Sequence, residues 1–190
     1  STKHLAGDGR NSPVTTEVFN LANGRIERET DAKNQITSYN YSPTGLTRTT
    51  TYPDGSWERV NTEEPTKIVE ENSTGYRKTT YLDGLLRTIR VTDNLGPGNT
   101  ERTLSTQTYN KQGLIARETN IHGQATQHFY DYKYREIKTI DYLGNVVETQ
   151  YDDVAMTSIQ SAATNGGTGA RTTIAKSFYD DDGNVIRGES

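Results

Sequence analysis

The sequence predicts an all-β chain of repetitive antiparallel hairpins laid out as one extended sheet, and three observations predict it. Tyr109, Tyr130 and Tyr151 recur at intervals of 21 residues. Turn glycines keep the same interval from Gly24 to Gly45 and from Gly123 to Gly144, with a 10-residue sub-step from Gly45 to Gly55 and from Gly113 to Gly123. Between the glycines lie runs rich in Thr, Tyr and β-branched residues, which suit a pleated, half-buried surface, and no stretch keeps a 3.6-residue apolar period. A fixed period of about 20 residues marks a repeat architecture in which each unit buries its apolar face only against its neighbours. Function is therefore to be sought in the assembled surface and not in one catalytic loop.

Taken in order, residues 1–16, with Ala6-Gly-Asp-Gly9 and Pro13, read as an irregular leader, and residues 17–190 as the repeat array. The segment Gly24–Thr30 lies over Gly113–Thr119 with Gly, Ile and the Arg-Glu-Thr triplet at the same offsets, and this carries Tyr41 onto Tyr130. A unit of about 21 residues divided by glycines suits two strands of roughly five to seven residues, each closed by a tight turn. Strands are predicted at Thr47–Tyr52, Thr100–Tyr109, Gln124–Tyr132 and Val146–Tyr151. Turns are predicted at Tyr52-Pro-Asp-Gly55, Leu82-Asp-Gly84, Leu143-Gly-Asn145 and Asp182-Gly-Asn184, where the residues tolerate positive φ or preset φ before it. Ile36, Trp57, Ala125 and Val146 stand twelve residues past the first glycine position of their units and are predicted to face a core. Two insertions break the rhythm, near 94–100 and near 155–177. The second holds the small-residue linker Ser161–Ala170 and stretches the interval from Tyr151 to Tyr179 to 28.

Composition bounds the partners. Hydrophobic residues make up 30% of the chain and mean hydropathy is −0.88, values low enough to raise disorder. The 12 tyrosines argue for order instead, because an amphipathic ring can cover a thin sheet while its hydroxyl stays wet. A net charge of −4 with scattered basic residues gives no field for phosphate backbones and argues against nucleic acid. The longest apolar runs span two to four residues, too short for a membrane helix or a signal-peptide core. Starting at Ser1-Thr-Lys-His4, the chain reads as an excised piece. The absence of cysteine removes disulfides and thiolate chemistry but leaves the compartment open.

The units Tyr109-Asn-Lys-Gln-Gly113 and Tyr179-Asp-Asp-Asp-Gly183 have the form Tyr-(Asp/Asn)-x-x-Gly-x-(hydrophobic), Tyr41-Ser-Pro-Thr-Gly45 keeps its tyrosine and glycine, and together they resemble the YD repeat of Rhs-repeat proteins. Asp141-Tyr-Leu-Gly144-Asn-Val146 and Tyr81-Leu-Asp-Gly84-Leu85 look like the second half of the same repeat, and the resemblance covers roughly residues 18–187. Asn20, Asn40 and Asn110 stand where the pattern has Asp, and Tyr134 and Ala155 where it has glycine. The repeat positions so marked are Tyr41, Gly45, Tyr109, Gly113, Gly123, Tyr130, Gly144, Tyr151, Tyr179 and Gly183. In Rhs proteins, toxin-complex C subunits and teneurins such arrays build a curved β-sheet shell, which in the bacterial toxins encloses a C-terminal toxin. The resemblance thus implies a non-catalytic wall segment of a secreted or cell-surface bacterial protein, with the rest of that protein and an enclosed toxin or effector as partners. No autocleaving core motif and no toxin tail is visible in the chain.

The residues that could carry chemistry have plainer readings. Asp180, Asp182, Gly183 and Glu189 fall at calcium-loop positions, but Phe178 stands where the first carboxylate is needed, and an Asp-Gly-Asn turn accounts for them. Gly166-Gly-Thr-Gly169 lacks the lysine of a phosphate loop. His122 and His128 flank a predicted turn without a third ligand and read as exposed histidines. Glu63-Glu64, Glu70-Glu71 and Asp152-Asp153 are adjacent, so on a strand their side chains point to opposite faces and build no acid/base dyad. Asn72-Ser-Thr74 and Asn40-Tyr-Ser42 are glycan acceptor sequons, meaningful only in a eukaryotic secretory pathway. The sequence therefore predicts no catalytic residue, no metal and no cofactor. The alternative function class is a surface module that binds a glycan or a partner protein through exposed tyrosines.

Overall fold

A computed structural model of the chain describes residues 2–4, 16–95, 100–164, 170–180 and 182–189. Every element among them is a β-strand, and the strands pair antiparallel with their sequence neighbours. The chain divides into two compact units, Ser1–Thr103 and Leu104–Ser190.

In the first unit the strands are β1 (Thr2–His4), β2 (Thr16–Phe19), β3 (Ile26–Thr30), β4 (Ile36–Tyr41), β5 (Thr47–Thr51), β6 (Trp57–Asn61), β7 (Lys67–Asn72), β8 (Arg77–Leu82) and β9 (Thr88–Asp93). Each pairs with the next, as in Tyr39↔Thr50 between β4 and β5 and Thr50↔Glu58 between β5 and β6. The leader is not wholly irregular. Thr2–His4 pairs along β2 with Thr2 opposite Val18, so it covers backbone groups of β2 that would otherwise stand open. Residues 5–15 lie outside the described residues, as do Gly96–Asn99 of the first predicted insertion.

In the second unit the strands are β10 (Arg102–Tyr109), β11 (Ile115–Thr119), β12 (Ala125–Tyr130), β13 (Glu136–Ile140), β14 (Val146–Asp152), β15 (Thr157–Ala163), β16 (Thr172–Tyr179) and β17 (Val185–Glu189). The second predicted insertion is mostly strand. β15 and β16, at 7 and 8 residues, occupy much of the range 155–177. Ser161–Ala163 of the predicted linker belongs to β15, while residues 165–169 lie outside the described residues.

Burial is thin. Among the described residues the buried apolar side chains are Val146 and Ala163, which face each other across β14 and β15, and Thr50, Thr79 and Ser158 are buried as well. The predicted core position is only partly a core. Ile36, Trp57, Ala125 and Val146 each open a strand next to a turn, and only Val146, lying against Ala163, is buried; Ile36 is 43% exposed. A sheet with little apolar covering leaves such strand-opening positions at the water boundary.

Candidate functional surface

The repeat resolves into a row of turns. Eight hairpins among the described residues close with the same local chemistry: an Asp or Asn whose Oδ1 accepts the backbone N–H groups two and four residues on. It recurs at Asp31, Asn72, Asp83, Asn110, Asn120, Asp131 and Asp141, and again at Asp180. The residue three past the cap returns its N–H to the cap carbonyl, as Gly113 does to Asn110 at 3.0 Å and Gly144 to Asp141 at 3.0 Å. That residue takes positive φ: 84° at Gly113, 76° at Gly123, 80° at Gly144 and 83° at Gly183. This geometry explains why the pattern needs Asp or Asn first and glycine fourth.

Several sequence-level assignments shift by a residue or two. After Leu82 the cap is Asp83, and the positive φ of 61° falls on Leu86 and not on Gly84. Tyr134 does stand in the glycine place and takes the same conformation, at φ 67°, whereas beyond Asp152 the positive φ falls on Met156 and not on Ala155. Asn40 lies within β4 and caps nothing; Ser42 takes the cap position, its Oγ receiving the Thr47 N–H at 3.1 Å. Asp180 caps its turn through Asn184, whose hydrogen bonds hold its carboxyl below the usual carboxylate range. Residue 181 lies outside the described residues.

The tyrosine beat has a physical cause. Tyr109, Tyr130 and Tyr179 each end a strand at a register shift, so the ring is re-aimed just before the capped turn. Phe19 and Leu82 stand at the same shift before Asn20 and Asp83, places that the tyrosine spacing does not mark because neither is a tyrosine. Three phenols tie a hairpin to the one before it, those of Tyr130 and Tyr179 at the shifts and that of Tyr151 within β14. Tyr130 Oη donates to the Ile115 carbonyl at 2.9 Å and Tyr151 Oη to the Glu136 carbonyl at 3.3 Å, both 15 residues back, and Tyr179 Oη meets Ser158 Oγ at 2.8 Å. In the first unit Arg25 lies 5.0 Å over the Tyr41 ring, and in the second Arg135 lies 4.0 Å over Tyr151.

Neighbouring turns on that edge are also joined to one another. In the first unit Glu63 Oε1 accepts from Thr44 Oγ1 at 2.6 Å and Ser42 Oγ at 2.8 Å, and these hydroxyls hold its carboxyl below the usual range. In the second unit Lys133 Nζ and Arg135 Nη1 both reach Asp153, at 2.8 and 2.6 Å, and hold its carboxyl down likewise. Beside them a cleft of about 360 Å³ is lined by Arg135, Tyr151, Asp153, Met156, Thr157 and Tyr179. Its charged groups are already satisfied by each other, and its rings belong to the hairpin ties.

The histidines separate. His122 is an exposed turn residue, while His128 is not the exposed side chain the sequence suggests: on β12 it lies between Glu118 of β11 and Glu136 of β13, with Nδ1 2.6 Å from Glu136. The adjacent acids do part company as strand geometry demands, Glu70 meeting Lys78 and Glu71 meeting Arg59 and Arg77. Asn72 of one sequon is occupied as a turn cap. Among the described residues no group of three or more His, Cys, Asp or Glu is placed to hold a metal ion, and no helix is long and apolar enough to cross a membrane.

No protein-family model and no curated protein matches the chain. Solved structures do. A chain of the crystal structure of TcdB2-TccC3 is similar over 92% of this chain, with a TM-score of 0.50 and 10% sequence identity. The fold is shared with that chain. In the crystal structure of TcdB2-TccC3-Cdc42 the match covers 93% of this chain at 13% identity and a TM-score of 0.42. This chain spans 14% of the length of the TcdB2-TccC3 chain it matches, so the likeness is to a stretch of a far larger molecule. At such low identity it speaks to the β architecture, which is also the architecture that the resemblance to YD repeats implies.

Proposed function

We propose that the chain is a non-catalytic wall segment of an Rhs/YD-repeat protein, a stretch of β-shell that encloses or presents a toxin or effector domain of the same secreted or cell-surface bacterial protein. The observation that carries this reading is the row of capped turns: at each repeat the polar groups of the motif are consumed in closing one hairpin and tying it to the next. Asp131, Lys133, Arg135, Tyr151 and Asp153 all find partners inside the wall, which leaves no activated nucleophile or free acid/base pair among them. The fold shared with a stretch of a TcdB2-TccC3 chain supports the same reading.

Protease protection tests it. In the longer protein that carries this chain, a following effector domain is expected to resist proteolysis while the wall is intact and to be degraded when turn ties are removed, as in the double variant Asp131→Ala/Asp153→Ala. Equal susceptibility of the effector domain with and without the intact wall would contradict the proposal.

A second reading rests on Tyr132 and Tyr134, which are 78% and 60% exposed on one turn and could stack on a sugar ring or a partner protein. Saturable binding of a glycan that is abolished by Tyr132→Ala/Tyr134→Ala would favour this surface module over a plain wall.

A further inference from the structure

We infer that one face of the first unit's sheet is the docking surface for an acidic polypeptide partner. Its basic residues look scattered along the sequence, but the strands sort them, because successive side chains point to opposite faces and directly paired residues share one. The register sets Arg28 in line with Ser38, Thr51 and Trp57, Arg59 in line with Glu71 and Arg77, and Lys67 in line with Tyr81 and Arg90. Trp57 and Arg59 lie two apart and Arg77 and Tyr81 four apart, so the three rows share a face. From β2 to β9 that face carries Arg28, Arg59, Lys67, Arg77 and Arg90 against Glu71 alone, joined from outside those strands by Glu101, which accepts from Tyr81 Oη at 3.2 Å. The opposite face carries Glu17, Glu27, Glu29, Glu58, Glu70 and Asp93 against Arg48 and Lys78.

The side chains also say what the basic face takes. Arg28, Arg59, Arg77 and Arg90 are exposed, and two of these guanidinium groups lie over rings of the same face, Arg59 5.5 Å over Trp57 and Arg90 4.1 Å over Tyr81. A guanidinium stacked on a ring keeps N–H groups at its edge for an anion. The anion already received there is a side-chain carboxylate: Glu71 accepts from Arg59 Nε at 3.0 Å and lies 3.6 Å from Arg77. The cations outnumber the carboxylates that meet them, so the face is complementary to a further acidic surface. A face, unlike a strand edge, also stays open when a sheet continues on either side.

Calorimetric titration of the 190-residue chain with poly-L-glutamate tests this, and Trp57, the sole tryptophan, reports from the same face. Binding is expected, with a change in Trp57 fluorescence and a weakening as salt screens the field. Arg28→Glu/Arg77→Glu/Arg90→Glu is expected to weaken it about tenfold, and Arg28→Glu alone about threefold. Glu27→Gln/Glu58→Gln makes the chain less acidic but leaves this face untouched, so it is expected to bind as the wild type does. Circular dichroism checks the fold of each variant, and if the triple variant does not fold, Arg28→Glu decides. Absence of binding, binding silent to Trp57, Arg28→Glu without effect, an equal change from the variant on the other face, or capture of heparin but not of poly-L-glutamate would each overturn the inference. These outcomes leave the wall reading untouched, since that concerns the turn row and not the charge on a sheet face.

Discussion

The positive-φ residue of the turns carries the sharpest consequences at the scale of single residues. Gly123 has φ 76° and nothing within 4 Å of where a Cβ would stand, so Gly123→Ala meets conformational cost without a clash. It is expected to destabilise the chain by about 1 kcal/mol, the cost of an L-residue in the left-handed region. Tyr134 already bears that cost at φ 67° with its ring 60% exposed, and Tyr134→Gly is expected to gain about as much. Chemical denaturation measures both; a neutral Gly123→Ala would show that the turn conformation is not what the motif protects. A second residue-scale consequence concerns pH. The hydrogen bond from Tyr39 Oη to Glu29 Oε2 at 2.7 Å, followed by burial, pushes the Tyr39 phenol up to about 12. A phenol that keeps its proton longer in the folded chain contributes stability in full below pH 10 and loses it as the pH rises from about 10 to about 12. Tyr39→Phe is therefore expected to lose less stability than the wild type across that window, and equal slopes in alkaline denaturation would contradict this.

At the scale of the element, the hairpin and its tie to the preceding one are the working unit. Tyr130 stands at a register shift and donates to the Ile115 carbonyl, whereas Tyr76 lies outside the 21-residue beat. Tyr130→Ala is expected to cost about 2 kcal/mol, less than a ring removed from a dense core because this sheet is thin, and Tyr76→Ala distinctly less. Equal losses on chemical denaturation, or a larger loss at Tyr76, would mean that the tyrosine spacing is not the structural repeat. Much of this element was legible in sequence. Gly113, Gly123, Gly144 and Gly183 mark turns because only a capped hairpin asks for that chemistry at that interval, and β10, β12 and β14 follow from their Thr and Tyr content, although the predicted strand Gln124–Tyr132 runs into the turn that Asp131 caps and β14 continues to Asp152. What stayed hidden was whatever the backbone can do without the favoured residue. Leu86 and Met156 adopt positive φ although glycine would do so more easily, and Phe19 and Leu82 occupy the tyrosine place because a register shift constrains the backbone there and tolerates several side chains. The long strands β14 to β16 were hidden for another reason: Ser161–Ala163 has small side chains that read as linker but pair as strand against the apolar start of β14.

At the scale of the whole molecule, the sequence pointed to a thin, wet sheet, and the structure has one: the buried apolar side chains among the described residues are a valine and an alanine. Such a sheet is held by backbone ladders, by capped turns and by ties between successive hairpins more than by a dry core. That is a construction suited to the wall proposed above. The candidate surface was harder to read than the fold, because its residues are the repeat residues themselves. Arg135 and Asp153 are 18 apart in sequence, and only the stacking of hairpins brings them to 2.6 Å. Electron cryomicroscopy of the longer protein that carries this chain tests the wall most directly. The strands from Thr16–Phe19 to Val185–Glu189 are expected to lie within a β-sheet wall surrounding enclosed density. A chain found as a separate module, with solvent on both faces and nothing enclosed, would contradict it.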